Sequence, residues 1–162
     1  MKTTCNIILI AITSLLISSC GKLNVTPKED DAKSGSKVTG TMKAKLDGKD
    51  WEAKKVSFGG IFALIQANGY IDDDNFISLE FDDSKLKVGT TYILGKDKPE
   101  GEIHSLVYRT SAITYFATSG SFKITKYTRG KNIEGEINAK LYDFEKMKEI
   151  PLDNCTFSMS YN

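Results

Sequence analysis

The strongest signal along this chain is alternation. Val38, Gly40, Met42, Ala44 and Leu46 take every second place, with Thr39, Thr41, Lys43 and Lys45 between them, so one face of the segment is apolar and the other polar. That is the period of a half-buried strand. Asp47-Gly48 follows, and both residue types accept positive φ, which predicts a hairpin turn. Trp51 and Ala53 share one parity while Val56 and Phe58 share the other, which predicts a β-bulge near Lys54-Lys55. Residues 61–67 are apolar at nearly every place, the pattern of a central strand covered on both faces. Ile77, Leu79 and Phe81 alternate again, and weaker strands cover 91–94, 103–108 and 113–117. Segments 122–127 and 131–142 read as a hairpin over Thr128-Arg129-Gly130, with Ile133, Gly135, Ile137, Ala139 and Leu141 facing inward. Cys155, Phe157, Met159 and Tyr161 alternate to the end, and only 144–150 carries a helical reading, of one or two turns. Many short strands divided by turn signals predict an all-β fold, an antiparallel β-sandwich or flattened barrel of about 8–10 strands.

The first 37 residues obey a different pattern. Lys2 precedes an apolar run over residues 7–17, broken only by Thr13 and Ser14, and Ser18-Ser19-Cys20 follows. Crossing a bilayer takes about 20 apolar residues, so this run is too short and predicts a secretory signal peptide over residues 1–19. Residues 20–37 hold few apolar side chains (Leu23, Val25, Ala32) and cannot bury enough surface to offset the entropy of ordering them. They are expected to be a flexible tether spanning roughly 20–25 Å. Residues 38–162 are then one globular β domain, expected to be monomeric.

The sequence Ile17-Ser18-Ser19-Cys20-Gly21 resembles a bacterial lipobox. The resemblance implies that Cys20 is diacylglycerated, becomes the first residue after cleavage, and holds the chain on the lipid bilayer through its palmitate-type acyl chains, since two or three chains anchor stably. Gly21 stands where inner-membrane retention signals carry aspartate, which favours the outer membrane. Lys28-Glu29-Asp30-Asp31 resembles the surface-export signals of Bacteroidota lipoproteins, so either face of that membrane is open. Within the domain, 42–53, with its Asp47-Gly48-Lys49-Asp50-Trp51-Glu52-Ala53 core, resembles the opening of small all-β Bacteroidota lipoproteins of unknown function. So do 88–92, 120–125, 133–139 and the closing strand. That family implies an envelope location and a β fold, and supplies no catalytic residues.

Composition narrows the chemistry. The chain has 162 residues, 40% hydrophobic and 27% charged, with 22 Lys and Arg against 21 Asp and Glu, so no bulk charge draws it to nucleic acid. Once Cys5 leaves with the signal and Cys20 is acylated, Cys155 is the remaining cysteine; no internal disulfide can form, and its strand parity predicts a buried, unreactive thiol. The single histidine, His104, reads as a sheet-surface residue, and one His with one Cys cannot make the usual zinc sites. The basic stretch 126–131 reads as a solvated turn. Asp72, Asp73, Asp74 and Asn75 are the calcium candidates, because clustered oxygens suit that ion. Their spacing is not that of an EF-hand, and Asp and Asn favour turns by bonding nearby backbone, so a turn is the preferred reading. No cofactor is expected. Seven tyrosines on a β scaffold could offer a platform for sugar rings, whereas Trp51 and most phenylalanines read as core. The expectation is a non-catalytic binding or scaffolding lipoprotein with a glycan or envelope-protein partner. The alternative is an envelope glycan hydrolase, which needs only two carboxylates at a suitable separation.

Overall fold

The computed structural model describes residues 37–162, and within them ten strands and no helix. The signal segment, Cys20 and the tether up to residue 36 lie outside the described residues. In chain order the strands are β1 (Val38–Leu46), β2 (Lys49–Glu52), β3 (Lys55–Ile61), β4 (Leu64–Asp72), β5 (Asn75–Asp82), β6 (Thr91–Gly95), β7 (His104–Arg109), β8 (Thr114–Thr128), β9 (Asn132–Asp143) and β10 (Lys148–Tyr161). They form one antiparallel sheet in the order β2-β1-β10-β9-β8-β7-β5-β4-β3, with β6 paired to β8 beside β7.

The sheet curls into a half-barrel, and its apolar face rolls inward. Met42, Ile77, Leu79, Phe81, Leu94, Phe122, Ile124, Ile137, Leu141 and Leu152 meet there, all but excluded from solvent. Each such side chain contributes about 1.5–3 kcal/mol by leaving water. The curl brings β3 across to β1 and β10. Ala53 N donates to Met42 O at 2.9 Å and Lys54 N donates to Tyr70 O at 2.7 Å, so two consecutive residues hand the chain from one edge of the sheet to the other. Tyr161 Oη donates to Phe58 O at 2.6 Å, and the two rings lie 4.8 Å apart across the same seam.

The β1–β2 hairpin turns at Asp47 and Gly48, both at positive φ (51° and 75°), as their residue types predict. The parity switch after Ala53 is the edge-to-edge hand-off rather than a bulge. The apolar run 61–67 is not one central strand either. It turns at Phe62-Ala63, between Ile61 and Leu64, which pair with each other. Segments 113–117 and 122–127 belong to the single strand β8, and the helical reading of 144–150 gives way to a turn and the start of β10.

Candidate functional site

Two hollows in the surface concern function. The first lies where β6 and β7 share one edge of β8: β7 pairs Arg109 to Thr114 and Val107 to Phe116, and β6 pairs Gly95 to Ser119 through Thr91 to Lys123. The wedge between them is filled by His104, which is buried rather than on the sheet surface. Its Nε2 is hydrogen-bonded to Ile93 O, joining β7 to β6, and lies 3.6 Å from the Glu102 carboxylate. Phe122 and Tyr92 ring it at 5.2 and 6.0 Å. Burial holds the imidazole below its ordinary pKa, against the pull of Ile93 O and Glu102 in the other direction. Asp82 also borders the crevice, but its carboxylate accepts from Ser84 Oγ at 2.6 Å and Ser84 N at 2.9 Å. Those two bonds, with Lys85 nearby, keep it below the usual carboxylate range. The enclosed space is about 10 Å³, room for one water and no more.

The second hollow is an open depression of about 370 Å³ on the outside of β8, β9 and the start of β10. Lys96, Lys140 and Glu149 border it with the hydroxyls of Thr118 and Ser119. Lys140 and Glu149 pair at 3.1 Å across adjacent strands. At one side stands a cluster of rings. Phe116 and Tyr142 are register partners on β8 and β9, and Phe144 follows in the next turn. Phe144 lies 4.9 Å from Tyr142, edge to face, and 6.1 Å from Phe116. Tyr142 Oη donates to Met147 Sδ at 3.2 Å. Phe116, Phe144 and Met147 are 46%, 61% and 73% exposed, so the cluster presents apolar faces to solvent beside amines, hydroxyls and one carboxylate. That combination suits a ligand with flat apolar faces and hydroxyl edges.

The aromatic reading of the sequence lands near this place but on different residues. Tyr108 and Tyr115 are buried and stacked at 5.7 Å, and Tyr127 and Tyr161 pack against the core, so the tyrosines do not share an exposed face. Tyr142 alone of the tyrosines joins the platform, and Phe116 and Phe144, of a residue type read mostly as core, supply the rest. Trp51 is core, as its parity indicates. Asp72, Asp73, Asp74 and Asn75 form the β4–β5 turn, where Asp72 Oδ1 accepts from Asp74 N at 3.1 Å. Among the described residues no three His, Cys, Asp or Glu side chains converge as a metal-binding group would. The 128–131 turn is solvated, with Lys126 paired to Glu134 at 3.0 Å and Arg129 to Asp83 at 3.5 Å. Cys155 is fully buried, and burial pushes its thiol up to about 12. Among the described residues no helix is long and apolar enough to cross a membrane. Comparison with protein-family models, with curated proteins and with solved structures finds no match for this chain.

Proposed function

We propose that the chain is a cell-envelope lipoprotein, acylated at Cys20 and held at the outer membrane, whose β domain binds a glycan without acting on it. The observation that carries this reading is the exposed platform of Phe116, Tyr142 and Phe144 beside the open depression. Phe116 and Phe144 stand exposed with Tyr142 half-buried between them, and contiguous exposed apolar surface marks a binding site more often than chance. The lysines and hydroxyls bordering it supply donors and acceptors for a sugar's hydroxyl edges. Against the hydrolase alternative, the crevice that Asp82 and Glu102 border admits one water, and the open depression is bordered by the single carboxylate of Glu149.

The lipidated full chain in mild detergent, titrated against envelope polysaccharides by calorimetry, tests the binding. Wild type is expected to bind one class of them, and Phe144→Ala with Tyr142→Ala to weaken it at least about tenfold with an unchanged melting temperature. Binding that survives both substitutions, or that occurs only with an envelope protein, removes the glycan reading, and release of reducing sugar replaces it with the hydrolase. Palmitate-analogue labelling of wild type but not of Cys20→Ala checks the anchor.

A further inference from the structure

The pairing register sorts the loops to two ends of the sheet. Val38 pairs with Tyr161, Ser160 with Asn132, and Asn132 with Thr128, so the point where the chain enters the domain adjoins the 128–131 turn. Tyr161 reaches Phe58, from which β3 runs on to Ile61 and turns at Phe62-Ala63. The β3–β4 tip therefore lies at this same end. Arg129 joins the two turns, donating through Nη2 to Phe62 O while its Nε faces the Asp83 carboxylate at 3.5 Å. The ring platform sits at the opposite end of β8 and β9, as does the acidic 72–75 turn at the opposite end of β4 and β5.

The tip is apolar and unpacked. Ile61 is 71% exposed and Phe62 89%, so the core gains nothing from either. Phe62 also has a φ of 58°, a conformation that hairpin turns give to glycine and that bulky residues avoid. The fold alone would be better served by a small residue. Lys37 and Lys131, both exposed, stand at the same end, beside the Arg129–Asp83 pair. Apolar side chains projecting among cations match an interface in which the former enter the acyl boundary and the latter meet anionic head groups.

We propose that the Ile61-Phe62 tip dips into the bilayer that carries the Cys20 acyl chains, forming a second, reversible membrane contact. The inference rests on the reading of Cys20 as the anchor. Residues 21–36 separate Cys20 from Lys37 and reach at most about 3.5 Å per residue, and they join the domain at the tip's own end. Confinement at that range gives the tip an effective concentration on the order of millimolar at the lipid surface. A contact too weak to recruit a free domain is then occupied, and the ring platform is turned away from the lipid.

An environment-sensitive fluorophore tests it. Ala63→Cys and, at the far end, Asp73→Cys are labelled in the lipidated full chain, where Cys155 is buried, and reconstituted in phosphatidylethanolamine–phosphatidylglycerol vesicles containing a doxyl lipid. The expected result is blue-shifted emission at position 63, quenched about threefold more than at position 73, and lost when Ile61→Ser and Phe62→Ser are added. Aqueous emission at position 63 in a chain that floats with the vesicles overturns the insertion and leaves the anchor standing. A blue shift that instead needs raised protein concentration and no lipid assigns the tip to a second copy and overturns it too. A chain that neither floats nor takes up palmitate label overturns both readings.

Discussion

At the scale of single residues, three side chains set local chemistry against fold. Phe62 holds a left-handed backbone that costs an L-residue about 1–2 kcal/mol, whereas glycine loses only about 0.5–1 kcal/mol in chain entropy. Phe62→Gly is therefore expected to raise unfolding stability by about 0.5–1 kcal/mol in urea titration. His104 binds its proton less readily in the folded chain than at the ordinary value of 6.5, because burial outweighs its bonds to Ile93 and Glu102. Its contribution is thus fully present above that value and falls as pH drops through it toward the lower folded one. Urea midpoints should decline as pH is lowered below 6.5, and less steeply in His104→Gln. Cys155, with its thiol at about 12 and no solvent contact, should resist maleimide in the native chain at neutral pH and react at once in guanidinium.

At the scale of elements, β8 decides most. It carries β9 on one edge and β7 and β6 in succession on the other, with a register shift between Ala117 and Ser119 where one gives way to the other. Gly120 lies within the stretch that β6 and β9 both pair. Gly120 has a φ of 127°, and a Cβ there would stand 2.3 Å from Asn138 O, a backbone atom that cannot step aside. Gly120→Ala should cost about 2–4 kcal/mol, read as a lowered urea midpoint. The sequence splits this strand in two because Thr118-Ser119-Gly120-Ser121 has the composition of a turn. Conversely, the real turn at Phe62-Ala63 carries none of the usual turn residues, so it hides inside an apolar run. The strands β1, β9 and β10 are legible because each keeps one face in the core and one in water. The ring platform is half-legible. Unbroken pairing back from Thr128↔Asn132 would set Phe116 opposite Phe144, and bulges after Ala117 and Ile124 shift it to Tyr142. Register arithmetic on the hairpin thus brings all three rings together, whereas period and composition alone assign most phenylalanines to the core.

At the scale of the whole molecule, the half-barrel is closed by its last strand. β10 lies between β1 and β9, pairing with both, so the tenth strand in chain order is interior to the sheet. A chain ending at Ile150 would leave β1 and β2 with no sheet to join, and it is expected to show no cooperative thermal transition by circular dichroism. The two ends of the half-barrel could not be read from the sequence, because they depend on which strands become neighbours across gaps of a hundred residues, as between Phe58 and Tyr161. That same arrangement has a kinetic meaning. Contacts of such long range form slowly, and here none of the β1 pairing to β10 can form before β10 has emerged. A chain read out from its N-terminus stays open, with β1 and β2 unclaimed by a sheet, until β10 arrives. If the chain is exported, as proposed above, that delay keeps it threadable through a narrow channel before it folds.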